Sequence, residues 1–292
     1  MGNIRIGLAG WDYADWKGVI YPARASRAFD RLAYVSTLVD AIEINSSFYR
    51  PVAPRVAESW LRRTEGRSEF RFTAKSHRSW THEPGADPAD VVPPTLEGLR
   101  PLRDAGRLGA LLIQFPQSFH FETPSIERLV RLLDPLRDWP TVVEVRHRSW
   151  ESDEAGRWFE RQQAGWCVVD QPVVSGSTAR PVPRVVGDIA YLRLHGRNAR
   201  DWFRPDAGRD ARYDYLYDRD ELAGLAGIAR GLATESKELF VIQNNHFRGQ
   251  ALVNTLQLRH LIEKRRPEAP AELVRAYPTL AQDVTIHNPT LF

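Results

Sequence analysis

A unit that recurs along the chain constrains its fold more than any other feature: a short β-branched run, a polar loop and then a helical pattern. Eight such runs occur, at residues 4–10, 41–45, 70–75, 109–115, 141–145, 166–170, 190–194 and 239–243. Helical patterns are predicted near 26–38, 54–64, 95–106, 123–136, 152–163, 218–234 and 249–265. Strands that alternate with helices pair in parallel, and eight of them close naturally into a barrel. We predict an α/β protein, a single (β/α)8 TIM-type barrel. An open doubly wound sheet is the alternative, although the first loop lacks the GxGxxG of dinucleotide binding.

Composition excludes several other classes of protein. The 292 residues are 42% hydrophobic and 26% charged, which is too apolar for a disordered chain. The single cysteine, Cys167, excludes an internal disulfide framework and a four-cysteine zinc site. No apolar run approaches the roughly 20 residues that span a bilayer, and the first residues lack a signal-peptide core. We therefore expect a cytoplasmic protein with no membrane partner.

The chain divides into a barrel domain, residues 1–266, and a C-terminal tail, residues 267–292, predicted as a short helix followed by an extended segment. Long loops after the third, sixth and seventh strands, near 76–94, 171–188 and 196–216, are expected on the barrel face that carries function. The last two residues, Leu291 and Phe292, resemble the ending of short peptides that bind bacterial sliding clamps. The alternative is a tail that simply packs on the barrel.

Strand parity predicts polar side chains inside the barrel, because alternate residues of a barrel strand face the interior. Ile42 and Ile44 suit the helix layer, so Glu43 between them points inward. The same alternation gives the inward set Glu43, Asn45, Glu144, Arg146, Arg193 and His195. Four more polar residues fall at the matching ends of other strands: Lys75, Gln114, Asp170 and Asn244. Carboxyl ends of strands are where barrel enzymes hold their catalytic groups.

Within this set we expect three carboxylates to face three cations. The carboxylates are Glu43, Glu144 and Asp170, and the cations are Lys75, Arg146 and Arg193. A structural ion network would explain the pairing, but a core built for stability alone would use Val and Leu. We favour a functional site. Because cations equal acids in number, we predict no metal and no cofactor; His195 and His246 would be the first metal ligands to test.

Aromatic and arginine side chains interleave in the loops at the same end of the barrel. The aromatic residues are Trp11, Tyr13, Trp16, Phe48, Tyr49, Trp80, Trp150, Trp202, Phe203 and Phe247. Aromatic faces beside guanidinium groups suit bases, sugars and phosphates. The alternative is that the tryptophans fill the barrel mouth as core. The formal net charge of +3 is not by itself a nucleic-acid signature.

Several motifs resemble one known family. They are Gly10-Trp11-Asp12-Tyr13 with Trp16-Lys17-Gly18, the run Glu43-Ile44-Asn45-Ser46-Ser47-Phe48-Tyr49-Arg50, Lys75 with Thr81-His82, Glu144-Val145-Arg146-His147-Arg148-Ser149-Trp150, His195-Gly196 and Asn244-Asn245-His246. In order and spacing they are similar to domain-of-unknown-function family 72, the YecE-like proteins. The chain departs at Leu8-Ala9, where the family usually has Thr-Ser. The resemblance implies a TIM-type barrel akin in fold to xylose-isomerase-like and endonuclease-IV-like barrels. It implies no established reaction.

The favoured function is a metal-independent enzyme acting on a small phosphate- or carboxylate-bearing ligand. Glu43 and Glu144 would act as general acid and base, and His195 as a proton shuttle. The ligand-binding set is Trp11, Asn45, Tyr49, Lys75, Gln114, Arg146, Trp150, Asp170, Arg193 and Asn244. Crowded carboxylates have a raised pKa, so anion binding should strengthen as pH falls from about 8 to 6, as a carboxylate or His195 takes up a proton. The alternative is a non-catalytic nucleic-acid-binding protein that uses the rim of arginine and aromatic side chains.

Overall fold

Eight parallel strands close into a barrel, as predicted, and the open sheet is excluded. The computed structural model of the chain describes residues 1–178, 181–202, 204 and 208–287. The strands are β1 (Asn3–Ala9), β2 (Ala41–Ile44), β3 (Arg71–Lys75), β4 (Leu108–Gln114), β5 (Thr141–Glu144), β6 (Gly165–Asp170), β7 (Ile189–Leu194) and β8 (Glu238–Gln243). Each pairs in parallel with its neighbours in the sequence, and β8 pairs with β1. All eight carboxyl ends therefore meet on one face of the molecule.

Helices cover the outside of the barrel. They are α1 (Arg31–Val35), α2 (Pro54–Arg63), α3 (Ser79–His82), α4 (Pro88–Asp104), α5 (Thr123–Leu133), α6 (Asp153–Gln162), α7 (Arg209–Arg212), α8 (Arg219–Glu235) and α9 (Gln250–Glu263). Their starts carry local signals: Asp30 caps α1, Ser152 caps α6, and α8 begins with a reciprocal capping box between Asp218 and Glu221.

Two helices differ in their bounds from the sequence expectation. The first helix is shorter than predicted, since residues 26–29 precede its cap, Asp30. α4 starts at Pro88 instead of near 95, because Asp87 caps it and proline is tolerated in a first turn. The connection from β6 to β7 forms no helix in its described residues, 171–178 and 181–188, in agreement with the long loop predicted there.

The barrel interior is polar at the carboxyl ends of the strands and has an apolar layer beneath them. This layer joins aliphatic residues of β1, β2 and β4 to the large rings of β7 and β8: Ala9, Ala41, Ala110, Leu112, Tyr191 and Phe240. Space is tight there, since a Cβ added at Gly109 would lie 2.2 Å from Cζ of Phe240. The floor beneath the polar layer is thus closed.

The tail packs on the barrel as far as it is described. It forms β9 (Glu268–Pro270), α10 (Ala271–Ala276) and β10 (Thr285–His287), and β9 pairs with β10. Leu273, Leu280 and Val284 are fully buried in the main core. Leu291 and Phe292, the predicted clamp-binding residues, lie outside the described residues. Among the described helices, none combines the length and the apolar character that a membrane span requires.

Candidate functional site

Arg193 joins two carboxylates at the centre of the barrel. It projects inward from β7, and its side chain is only 1% exposed. Its Nε and Nη2 donate to Glu43 of β2 at 3.0 and 2.6 Å, and its Nη1 donates to Glu144 of β5 at 2.8 Å. The hydroxyl of Tyr191 donates to Oε2 of Glu43 at 2.9 Å, the same oxygen that accepts from Nε of Arg193. Strand parity thus brings Glu43, Glu144 and Arg193 together, as the sequence predicts.

Arg146 completes the pairing of Glu144. Its Nε donates to Oε1 of Glu144 at 2.6 Å, two positions earlier on the same strand face. Burial alone would raise the pKa of Glu144, but Arg146 and Arg193 hold it well below its usual range. The expectation of a raised carboxylate pKa is therefore wrong for Glu144, which remains ionised and is no general acid at neutral pH.

His195 stands above the ion network and is fully buried. Its Nδ1 lies 2.8 Å from Nδ2 of Asn244, and its Nε2 lies 3.2 Å from Nη2 of Arg146 and 3.4 Å from Oε1 of Glu144. Burial, with Arg146 next, lowers the pKa of His195 to about 3. The imidazole is neutral at physiological pH. The expectation that it takes up a proton between pH 8 and 6 is wrong.

Lys75 reaches the same cluster from the end of β3. Its Nζ donates to Oε1 of Gln114 at 2.8 Å and lies 4.1 Å from the ring centroid of Phe48. Within the described part of the chain it has no ion pair with a carboxylate, whereas Arg146 pairs with one and Arg193 with two. Burial, with the charge of Arg193 next, lowers the pKa of Lys75 to about 7. Lys75 is therefore the group of this cluster that changes charge near neutral pH.

Asp170 does not join the cluster, contrary to the prediction. Its carboxylate accepts from Nη2 of Arg197 at 2.7 Å and from the hydroxyl of Tyr217 at 2.8 Å, on the helix side of the strand. Asp170 is paired in register with Leu194, which also faces the helix layer. The parity of β6 is the reason, since Cys167 and Val169 take the interior positions. The cluster therefore has two carboxylates facing the three cations, instead of the three carboxylates predicted.

Most of the predicted aromatic rim is core. Trp150 is fully buried, and its indole Nε1 donates to the carbonyl of Phe119 at 2.7 Å, so it cannot cover a ligand. Trp16 and Trp80 are buried as well. Trp11 packs edge-to-face on Trp60 of α2, at 5.7 Å between ring centroids. Tyr49, 68% exposed, keeps its predicted place at the mouth. Phe203 lies outside the described residues.

A polar cavity of about 370 Å³ opens above the cluster. Five residues of the predicted set line it: Asn45, Tyr49, Lys75, Arg193 and Asn244. Four others were not in that set: Tyr13, Arg212, Tyr213 and His246. The ring of Tyr13 stacks on His246 with 4.3 Å between centroids. Arg212 and Tyr213 follow β7 in one of the long loops expected on this face. The length of that loop is the sequence feature that could have pointed to them.

Larger clefts lie elsewhere but are less suited to chemistry. One of about 610 Å³ runs between the residues after β6 and α8, and one of about 520 Å³ lies beside α2 and α4. Neither receives a side chain from the barrel interior. Convergent polar groups mark a functional site better than volume does. In the residues that the structure describes, no three His, Cys, Asp or Glu side chains are grouped to hold a metal ion.

The closed barrel and its polar mouth define the class of the molecule, a TIM-type barrel protein with its site at the carboxyl ends of the strands. Residues 5–277 match the family described as "Protein of unknown function DUF72". The chain belongs to this family, which confirms the resemblance carried by its motifs.

Relatives agree with this assignment along nearly their whole length. The UPF0759 protein YunF of Bacillus subtilis (strain 168) is 30% identical over 274 residues, covering 89% of this chain and 95% of the relative. The crystal structure of a DUF72 family protein from Thermotoga maritima MSB8 is similar with a TM-score of 0.77 and 32% identity, covering 89% of this chain and 99% of that one. A DUF72 family protein from Enterococcus faecalis V583 shares the fold with a TM-score of 0.79 and 23% identity, covering 89% and 96% of the two chains.

Proposed function

We propose that the barrel mouth binds a small phosphate- or carboxylate-bearing molecule and that the protein is a metal-independent enzyme acting on it. The observation that carries the proposal is Lys75, a buried amine that lines the cavity and has no carboxylate partner among the described residues. The other inward cations, Arg146 and Arg193, are already neutralised by Glu144 and Glu43. An incoming anion therefore needs to displace no carboxylate when it pairs with Lys75.

Glu43 and Glu144 have a different role in this proposal from the one expected from the sequence. Both are fully buried and are held by the same guanidinium group. A bidentate carboxylate pair fixes the plane of Arg193. We assign them as positioning residues for Arg193 rather than as proton donors. His195, bonded to Asn244 and beside Arg146, similarly fixes the polar wall of the cavity.

The alternative of nucleic-acid binding has less support. Stacking platforms need accessible aromatic faces, and Trp16, Trp80 and Trp150 are buried. Tyr49 is the exposed aromatic residue at the cavity. A cavity of about 370 Å³ also suits a small molecule better than a polymer.

Isothermal titration calorimetry with inorganic phosphate, sugar phosphates, nucleotides and short single-stranded oligonucleotides tests the proposal. We expect saturable binding of a small phosphate compound, about one per chain, that Lys75→Met weakens about tenfold or more. Lys237→Met is the matched control, because Lys237 lies at the amino end of β8 with its side chain 78% exposed. Binding of oligonucleotides alone, with a steep salt dependence and no effect of Lys75→Met, would transfer support to the nucleic-acid alternative.

A further inference from the structure

We propose that Lys75 is a nucleophilic amine that forms an imine with an aldehyde or ketone group of the ligand in the mouth cavity. The substrate class is then a small carbonyl compound that also carries a phosphate or carboxylate. The inference rests on the proposed function, because the anionic part of the ligand delivers the carbonyl group to the amine. It goes further by assigning a covalent step and naming the reacting atom, Nζ of Lys75.

The contacts of Nζ leave its lone pair available. A neutral amine has two N–H donors and one lone pair. The two recorded contacts of Nζ are both acceptors, Oε1 of Gln114 at 2.8 Å and the face of the Phe48 ring at 4.1 Å. Together they engage the two N–H groups. No carboxylate among the described residues pairs with Nζ to hold it as an ammonium ion. Lys75 lines the cavity, so a ligand held there can approach its amine.

The groups around Lys75 favour the neutral amine. Arg193 of β7 and Arg146 of β5 oppose its charge, while Glu43 of β2 and Glu144 of β5 favour it. The fifth neighbour, His82 of α3, has its pKa lowered to about 4 by burial and by Lys75, and is neutral. Burial is the largest cause and acts in the same direction as the arginines, and together they lower the pKa of Lys75 to about 7. An amine desolvated beside other cations is the arrangement that activates lysine as a nucleophile.

The step is balanced with groups at hand. The lone pair of Nζ attacks the carbonyl carbon, the C–N bond forms and the oxygen becomes a hydroxyl of the carbinolamine. That oxygen leaves as water with the two hydrogens of the amine, and the C=N bond forms. No oxidant, reductant or metal is required. Arg212 and Asn244, which also line the cavity, are placed to hold the anionic end of such a ligand while its carbonyl group meets the neutral form of Lys75; an anion without a carbonyl group, such as inorganic phosphate, pairs with the protonated form instead.

Reductive trapping tests the inference. The chain has only four lysines, Lys17, Lys75, Lys237 and Lys264, so the other three serve as internal controls for Lys75. The protein is incubated with glyoxylate or with dihydroxyacetone phosphate as probe, in the presence of cyanoborohydride, and adducts are mapped by peptide mass spectrometry. We expect one lysine adduct per chain, on Lys75, formed about tenfold or more faster at pH 7 than on the other three lysines, because Lys75 lines the mouth cavity in which the ligand is held. Inorganic phosphate should compete with labelling.

Two variants separate this inference from the proposed function. Lys75→Arg retains a cation but has no amine that forms an imine, so it should keep phosphate binding and lose the adduct. Lys75→Met should lose both, with an unchanged circular dichroism spectrum showing that it folds. Saturable phosphate binding by the wild type without selective labelling would overturn the imine and leave the anion site standing. Labelling spread evenly over the four lysines would also overturn it. If Lys75 is labelled selectively but phosphate neither competes with the labelling nor binds to the protein, the proposed anion site is overturned.

Discussion

At the scale of single residues, the site is defined by which charges have partners. Arg193 has two carboxylates, Arg146 shares one of them, and Lys75 has an amide and an aromatic ring instead. A guanidinium group stays charged in such surroundings, whereas an ammonium group loses its proton when it is buried without a counter-ion. One lysine in an arginine-rich cluster is therefore the residue that can switch charge.

Lys75→Met should stabilise the protein most at low pH. The pKa of Lys75 is 10.5 in its ordinary environment and about 7 in the folded chain, so the unfolded chain binds more protons between these two values. The stability of the wild type should rise as pH increases from 7 towards 10, by at most about 5 kcal/mol. The variant lacks this rise, which urea unfolding from pH 6 to 10 would measure. Lys237→Met serves as control, and a wild-type profile no steeper than that of Lys75→Met would contradict the assignment.

His195 should make the fold sensitive to acid. Its pKa is about 3 in the folded chain against 6.5 for an ordinary histidine, so the unfolded state binds the extra proton as pH falls through 6.5. Stability should decline below that pH with a slope of up to about 1.4 kcal/mol per pH unit from this residue. His195→Gln should remove that part of the slope between pH 6.5 and 5. His82→Gln provides the comparison, because the pKa of His82 is lowered to about 4 and contributes a similar slope. An identical slope in His195→Gln and the wild type would show that His195 is not buried as described.

At the scale of elements, β2, β5 and β7 are held together by one ion network that crosses the barrel. Glu43 and Arg193 are 150 positions apart in the chain, yet they pair at 2.6 Å, as closely as Arg146 and Glu144, which are two positions apart. Each strand contributes its last inward positions, so the network holds the carboxyl ends of the three strands in place. Below the network, Tyr191 and Phe240 pack in an apolar layer, and at the amino ends Arg5 of β1 pairs with Glu238 of β8 at 2.9 Å.

The two arginines of the network should differ in their cost of removal. Arg193→Met leaves Glu43 with Tyr191 as its recorded donor, and an uncompensated buried carboxylate typically costs about 3–5 kcal/mol. Arg146→Ala should cost clearly less, because Glu144 keeps its bond to Arg193 at 2.8 Å. Urea unfolding at neutral pH measures both. The double variant Arg193→Met with Glu43→Gln should recover part of the loss; equal costs for the two single variants would contradict the pairing.

At the scale of the whole molecule, the barrel gathers a cluster whose net charge depends on Lys75. With Lys75 neutral, the two carboxylates balance the two arginines; with Lys75 protonated, the cluster carries one positive charge in excess. If the mouth cavity binds an anion as proposed, binding and proton uptake are linked. We still expect anion binding to strengthen at lower pH, but with Lys75 as the group that takes up the proton and not Glu144 or His195.

Phosphate affinity should rise as pH falls from about 8 to 6, most steeply above about 7, and level off below it, where Lys75 already carries its proton in the free protein. Calorimetry in buffers of different ionisation enthalpy should show uptake of a fraction of a proton per phosphate bound at pH 8, declining towards pH 6. In Lys75→Arg the affinity should vary with pH only as the charge of phosphate itself does. A wild-type profile that matches that of Lys75→Arg would remove Lys75 from the linkage.

The sequence by itself determined the barrel and most of the inward polar set. Strand–helix alternation and strand parity are local properties of the chain, so they correctly placed Glu43, Glu144 and Arg193 on the inner face of their strands. The absence of a helix after β6 was also visible as a gap between helical patterns. Motif spacing identified the family without reference to any contact.

Only the tertiary structure decided which partner each side chain takes. Asp170 turned to Arg197 on the helix side, Trp150 packed into the core, and Arg212 reached the cavity from a loop. These outcomes depend on the register between strands and on how loops fold over the barrel, and neither is encoded in any short segment. The same holds for Lys75: its lowered pKa follows from burial beside Arg193 without an ion pair to a carboxylate among the described residues, a balance that exists only once eight strands have closed around it.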